Sequence, residues 1–315
     1  MKAGVDLGGT KIQAVVVDAG HAVVGQARRE TPTEGGPPAV AAEIAATVRE
    51  AAASAGMDVR ELAGVGVGSP GAIDRTAGTV AHARNLPDWE RSYPLAGTLT
   101  EALGTTVLLD NDVQVAVAGE FELGAGRPYS SLLGVWWGTG VGGGLILDGK
   151  PWLGRGAAGE IGHMVVKRGG AHCPCGRRGC LEAYAGRASM ESRARHLVEQ
   201  GEKTALFEIM EERGRARLQS GVWARALEDG DRMATRLVDR AIGALGAGVA
   251  SAVNLLDIEA VVVGGGLGTR LGPPYVERIA EAMQPHLFVA ERPPAVLSAA
   301  LGDLGGAIGA TLLVS

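Results

Sequence analysis

The sequence predicts an α/β protein built as two lobes around a ligand cleft. Two observations carry this. Short apolar strands alternate with helical stretches, and a strand, glycine turn and second strand open the chain and recur near its middle. The same pattern also fits one larger sheet without a cleft. The expected division sets residues 1–111 plus about 301–315 against 112–300.

In order, Lys2–Val5 and Ile12–Val17 read as strands flanking Asp6-Leu7-Gly8-Gly9-Thr10-Lys11. Ala39–Ala55 is alanine-rich and helical by propensity. Ala63–Val67 is an apolar strand ending in Gly68-Ser69-Pro70-Gly71, and Thr106–Leu109 is another, ending at Asp110-Asn111-Asp112. Val113–Leu123 reads as a helix. Leu132–Trp137 and Leu145–Leu147 then flank the turn Gly138–Gly144. Helices are expected at Glu191–Gln200, Thr204–Ala226 and Arg232–Val253, followed by a strand at Glu259–Val263 and the turn Gly264-Gly265-Gly266. A last helix, Gly305–Leu313, closes the chain.

At 315 residues, 46% apolar and 21% charged, the chain buries a sizeable core and is not disordered. A formal net charge of −5 argues against a binder that neutralises nucleic-acid phosphates. Fifty glycines, about twice the usual share, cluster at a few turns where backbone approaches something closely. No basic region followed by an apolar stretch and a cleavage site opens the chain. The longest apolar run, Ala241–Leu256, contains Asn254, stops at Asp257 and falls short of a membrane span; it reads as a buried helix. A cytoplasmic enzyme, with no membrane or nucleic-acid partner, is the expectation.

Two motifs look like nucleotide signatures and fail on context. Gly138-x-Gly140-x-x-Gly143 fits the dinucleotide pattern, but the β-like Leu145-Ile146-Leu147 follows where a helix must start. Gly144-x-x-x-x-Gly149-Lys150 is followed by Pro151, where a Mg²⁺-binding hydroxyl belongs. Glycine hairpins still bind phosphates when bare N–H groups converge on an anion, and three such turns in one chain point to nucleotide. Each taken alone also fits a plain β-turn.

All three cysteines, Cys173, Cys175 and Cys180, crowd one short loop. An odd, clustered set suits a metal rather than a disulfide framework. Zinc wants four tetrahedral Cys and His ligands. His163 lies ten residues before Cys173 and His172 adjoins it; His163 is the expected fourth ligand, since neighbouring residues rarely reach one ion together. Four protein ligands leave no open position, so the site is structural. Asp112 follows a strand and opens a helix, where side chains project towards ligands at strand ends; Asn111 or Asp112 also suits a helix cap there. Glu160 and Glu182 bracket the cysteine loop, which would gather them with His163 to hydrogen-bond several hydroxyls. Each glutamate alone also fits a solvated surface.

Together, Asp6–Lys11, Ser69-Pro70-Gly71, Asn85-Leu86-Pro87-Asp88-Trp89, Asn111-Asp112, Gly138–Gly144, Glu160-Ile161-Gly162-His163, Cys173–Glu182 and Gly264–Gly266 resemble the ROK family of bacterial sugar kinases, most closely its glucokinases. They run in family order over nearly the whole chain, and the C-x-C-G-x-x-G-C-x-E element with E-x-G-H upstream is the most specific. The resemblance implies a two-lobed actin-like, ribonuclease-H-type fold around a nucleotide and sugar cleft. It implies ATP and Mg²⁺, with Asp6, Gly8, Gly9, Thr10, Lys11, Thr139 and Gly140 facing the phosphates and Gly264, Gly265 and Gly266 beside the adenosine. Asp112 would be the catalytic base. Gly71, Asn111, Asp112, Glu160, His163 and Glu182 would contact the sugar, with Asn85 in addition, and zinc would sit on His163, Cys173, Cys175 and Cys180.

The implied partners are a hexose, ATP and further copies of the chain as a dimer or tetramer. Val113 departs from a common alanine, and the bulky pair Trp136-Trp137 is unusual in a strand facing nucleotide. The expected reaction is γ-phosphoryl transfer from ATP to the 6-hydroxyl of glucose. Fructose, mannose, N-acetylglucosamine and N-acetylmannosamine are alternative acceptors, and ADP or polyphosphate alternative donors. A repressor of the same family would carry a DNA-binding segment ahead of the first glycine turn, which here starts at Asp6; a catalytically dead sugar sensor would not be expected to keep Asp6 and Asp112.

Overall fold

The computed structural model describes residues 1–315. The chain divides into two compact units, Met1–Arg127 with Ala300–Ser315, and Pro128–Ala299.

The first unit is a five-stranded sheet ordered β3-β2-β1-β4-β7. Its strands are β1 (Lys2–Leu7), β2 (Lys11–Val17), β3 (Val23–Glu30), β4 (Val65–Ser69) and β7 (Val107–Asn111), with a small hairpin of β5 (Ala72–Asp74) and β6 (Thr79–Ala81) after β4. The helices are α1 (Gly36–Ser54), α2 (Leu95–Leu103) and α3 (Asp112–Leu123). β1, β4 and β7 run parallel, while β2 and β3 are antiparallel additions. Val5, Leu7, Ile12, Ile44, Val48, Val65, Leu99 and Trp89 form its core.

The chain's last helix, Gly305–Thr311, lies directly on this sheet. A Cβ on Gly66 would fall 1.8 Å from the Ala310 carbonyl oxygen, and one on Gly309 would fall 1.9 Å from that of Val115 in α3, so only bare backbone fits either approach. Buried Glu120 of α3 accepts the N–H groups of Ala125, Ala300 and Leu301, anchoring the returning segment. This packing corrects the expected boundary. The helix 112–123 belongs with the first unit, and the division falls at 127/128 rather than 111/112.

The second unit repeats the sheet plan as β10-β9-β8-β11-β12. These strands are β8 (Leu132–Trp137), β9 (Val141–Leu147), β10 (Lys150–Pro151), β11 (Ala260–Gly264) and β12 (Ala295–Ser298). Again three strands are parallel and two are antiparallel additions. Its helices are α4 (Glu182–Ala185), α5 (Arg187–Glu199), α6 (Leu206–Glu212), α7 (Ser220–Glu228), α8 (Arg232–Leu256), α9 (Gly265–Leu271) and α10 (Pro273–Met283). The apolar run Ala241–Leu256 is the second half of α8, whose buried face carries Ala241, Ile242, Leu245 and Val249. Asp257, in the left-handed region, ends it. No helix is long and apolar enough to cross a membrane.

Two expectations change here. The stretch Thr204–Ala226 is two helices, not one, because the chain turns at Gly214 with φ +59° and runs irregularly to Ser220. The Trp136-Trp137 pair is explained by strand alternation. Trp137 is fully buried and donates its indole N–H to the Ala185 carbonyl at 2.7 Å. Trp136 points to the other face, where its ring fills the space above Gly264 that a side chain would otherwise occupy.

Candidate functional site

Parallel strands gather polar residues at their carboxyl ends, the usual ligand edge of an α/β sheet. In the first unit, register pairs Asp6 of β1 with Gly68 of β4, and Ser69 of β4 with Asn111 of β7. That aligns Asp6, Ser69-Pro70-Gly71 and Asn111-Asp112 along one edge. Gly71 has φ +97°, and a Cβ there would meet the Ala81 carbonyl at 2.5 Å. Asn111 caps α3, its side-chain oxygen accepting from Val113 N at 3.0 Å and Gln114 N at 3.2 Å. Asp112 therefore sits at the first helical position, half-buried, with Oδ1 accepting from Val113 N at 3.0 Å. Behind them, buried Asp110 accepts the Asn111 N–H and pairs with Arg75 of the β5–β6 hairpin.

The first glycine turn joins β1 to β2. Gly8 N–H donates to Lys11 O at 2.9 Å. Its carbonyls are tied back to Thr31: the Thr31 hydroxyl donates to Gly8 O at 2.6 Å, and Thr31 N–H donates to Thr10 O at 3.1 Å. Lys11 Nζ donates to Gln13 Oε1 at 3.0 Å. The Asn85 carbonyl packs on Gly9, 2.6 Å from where a Cβ would lie. Burial raises the Asp6 carboxyl above the ordinary range, and the Lys11 charge only partly opposes this.

In the second unit the turn Gly138–Gly140 joins β8 to β9, and a strand rather than a helix follows it. Both carbonyls of its tip face the start of α5: Arg187 N–H donates to Gly138 O at 3.1 Å, and Ala188 N–H to Thr139 O at 3.0 Å. Glu182 Oε2 accepts Val141 N–H at 3.0 Å. Gly264, Gly265 and Gly266 end β11 and begin α9, and they adjoin the turn, with Gly266 N 3.7 Å from a Cβ on Gly138.

His163, Cys173, Cys175 and Cys180 converge, their ligand atoms all within 4.8 Å of one another. The Cys175–Cys180 sulfur separation is 3.8 Å, and the Cys173 Sγ–His163 Nδ1 separation is 3.9 Å. Tetrahedral zinc with bonds of about 2.3 Å spaces its sulfur ligands by roughly 3.8 Å, so the donor set fits. Burial pushes the Cys173 thiol up to about 12 and raises that of Cys180, whereas donation from Arg177 N–H lowers that of Cys175. Three such neighbours ionise together only around a cation. His172 lies outside the cluster, its Nε2 against Arg178.

Local backbone explains the convergence. Gly179, at φ +82°, would place a Cβ 1.9 Å from Lys167 O, and Gly162 one 2.0 Å from Val141 O. Only glycine lets the cysteine loop fold over 165–167 and the Glu160–His163 turn lie on β9. His163 turns Nδ1 towards Cys173 and Nε2 towards Glu160, 3.9 Å away and largely exposed. Glu182 has one oxygen on Val141 N–H and the other 3.8 Å from Cys173 Sγ.

The edge of the first unit thus brings together Asp6, the turn through Lys11, Gly71, Asn111 and Asp112. The second unit brings together Thr139, Gly140, the Gly264–Gly266 turn, Glu160, His163, Glu182 and the cysteines. Sequence reading missed Thr31, Asp110, Glu120 and Arg187. Arg187 alone left a signal: a basic residue at the first position of a helix opposes the helix dipole and calls for a reason.

The ROK family profile matches residues 2–315. A glucokinase of Thermotoga maritima is 34% identical over 286 residues, covering 90% of this chain and 88% of that protein. The crystal structure of a ROK hexokinase from Thermus thermophilus is 34% identical with a TM-score of 0.79, covering 99% of this chain and 97% of its own. That of a ROK family glucokinase from Streptomyces griseus, in complex with glucose and AMPPNP, is 31% identical with a TM-score of 0.83, covering 99% and 98%. With a matching profile over the whole length and two α/β lobes of actin-like ATPase type, this chain belongs to the ROK family.

Proposed function

We propose that this chain is an ATP-dependent hexose kinase that transfers the γ-phosphoryl group to the 6-hydroxyl, with glucose as its first substrate. The observation that carries the reading is Asp112: an acceptor at the first position of α3, beside an asparagine fixed as cap, on the edge that also holds Asp6 and the first glycine turn. The likeness to the S. griseus glucokinase, whose structure is a complex with glucose and AMPPNP, supports it.

In this reading Asp112 accepts a hydrogen bond from the attacking hydroxyl, orients it and takes its proton as the new P–O bond forms. Backbone N–H groups of the two glycine turns, whose carbonyls are held from behind, face the phosphate oxygens. Mg²⁺, when bound, neutralises charge on those oxygens, and Asp6 is the carboxylate that would anchor it. Gly264–Gly266 adjoin the adenosine. Gly71, Asn111, Glu160, His163 Nε2 and Glu182 hydrogen-bond the sugar. His163 Nδ1 and the three cysteines would hold zinc, which supplies a structural clamp rather than an activated water.

A coupled ADP-release assay over hexoses and N-acetylhexosamines, with ATP and polyphosphate as donors, tests the activity and ranks substrates. ADP formation with glucose or another hexose is expected; sugar binding with no ADP formed would make the chain a sensor. Asp112→Asn should retain sugar binding by calorimetry and lose about 10²–10⁴-fold in kcat. Near-normal turnover in that variant removes the base assignment.

A further inference from the structure

Arg187 stands behind the second glycine turn without a carboxylate of its own. Its Nη2 donates to the Thr139 hydroxyl oxygen at 2.7 Å and its Nη1 to the Leu218 carbonyl at 2.7 Å, both neutral acceptors. Its Nε–H is buried with no partner. The nearby carboxylate is committed elsewhere. Glu191, whose side chain is only 4% exposed, takes Arg195 at 2.8 Å, Arg217 at 3.0 Å and the Leu218 N–H at 3.1 Å. Leu218 therefore links the two groups, with its N–H on Glu191 and its carbonyl on Arg187. The network fixes the guanidinium from behind while leaving its charge uncompensated at bonding distance. Burial lowers the Arg187 pKa; the charge of Glu191, beyond bonding distance, partly opposes this, and that of Arg217 adds to it.

A half-buried cation without a counter-ion is costly unless an anion arrives. A hydroxyl that accepts from an arginine keeps its own proton for another acceptor. Thr139 is exposed at the tip of the turn, and its backbone carbonyl is already taken by Ala188 N–H. We propose that Arg187 is a positioning residue of the polyphosphate site: it holds Thr139 so that the hydroxyl proton points outward to a phosphate oxygen. This rests on the nucleotide reading above and names a residue that reading did not include.

The experiment compares wild type with Arg187→Gln, Arg187→Lys, Thr139→Val and the Gln/Val double variant. It uses steady-state kinetics in ATP and in sugar, calorimetric titration with AMPPNP and with adenosine, and thermal melts. Arg187→Gln should raise KM for ATP and weaken AMPPNP binding about 10- to 100-fold, the size of a lost hydrogen bond to a charged group. Sugar KM, adenosine affinity and Tm should stay near wild type. Arg187→Lys should recover most of the ATP affinity. Thr139→Val should match Arg187→Gln, and the double variant should be no worse than either, because both act through one hydroxyl.

Unchanged AMPPNP affinity in Arg187→Gln overturns the proposal. So do equal losses for ATP and sugar, or additive effects in the double variant. If Arg187→Gln fails to fold, Thr139→Val decides: unchanged AMPPNP affinity there overturns the proposal. A wild type that binds AMPPNP but turns over no sugar fails the kinase reading while leaving the Arg187 comparison intact.

Discussion

The two glycine turns occupy the same place in two sheets of the same plan, yet they are held differently. The first, between β1 and β2, is braced by a single threonine, Thr31, just past the end of β3. The second, between β8 and β9, is braced by the start of α5, by the Arg187 side chain and by Glu182, which reaches on to the cysteine loop. A repeated backbone plan thus does not imply repeated mechanics. The first turn depends on its own strand pairing. The second is tied through Glu182 to a loop whose three thiols and imidazole could hold an ion.

This difference can be broken at several points. The largest effect is expected from removing metal. Chelation of the purified protein, with zinc quantified before and after, should lower Tm by at least about 10 °C. It should also raise hydrogen exchange through 141–147 while leaving 2–17 protected. Equal melts with and without metal, or equal loss of protection in both turns, would contradict the asymmetry. Next in size, Gly140→Ala places a Cβ 2.2 Å from Glu182 Oε2, whereas the Cβ of Gly8→Ala lies 3.2 Å from Lys11 O. The first change should cost about 1–3 kcal/mol as an overpacked contact, and the second less than about 1 kcal/mol; denaturant melts of both variants give the comparison.

The smallest effect concerns Asp6. Its carboxyl is raised in the folded chain, so ionising it works against folding. That penalty is absent below the unfolded value of about 4 and complete above the folded one. Asp6→Asn should therefore raise Tm at pH 7, as read by thermal melts across pH. The gain should fade as pH falls towards 4, and kinase turnover should be lost with it. A variant that is less stable at pH 7 would show that the carboxylate is structural.

Much of this was readable in advance. Short apolar runs beside glycine turns located β1, β2, β8 and β11, and the crowding of Cys173, Cys175 and Cys180 pointed to His163 as their partner. Where reading failed, the cause was tertiary. The polar strand β3 carries a weak local signal and is made by its pairing with β2, whereas the helices α2, with Leu95, Leu99 and Leu103 on one face before Gly104, and α10, opened by Pro273-Pro274, carry signals that the reading passed over. The helix after Asn111 was assigned to the wrong unit because its partner, Gly305–Thr311, lies almost two hundred residues away in the sequence. The role of Arg187, beyond its odd place at a helix start, is hidden for the same reason: its partners Thr139 and Leu218 are 48 and 31 residues distant.

One detail of the β7 edge reaches further. Because Asn111 spends its amide oxygen on two backbone N–H groups, only its NH₂ faces outward, while Asp112 presents oxygen alone. Adjacent side chains of opposite hydrogen-bond polarity read a hydroxyl's direction as well as its position. A fluorine, which cannot donate, could satisfy the amide and never the carboxylate, so deoxyfluoro sugars would distinguish which of the two meets each carbon of the ring.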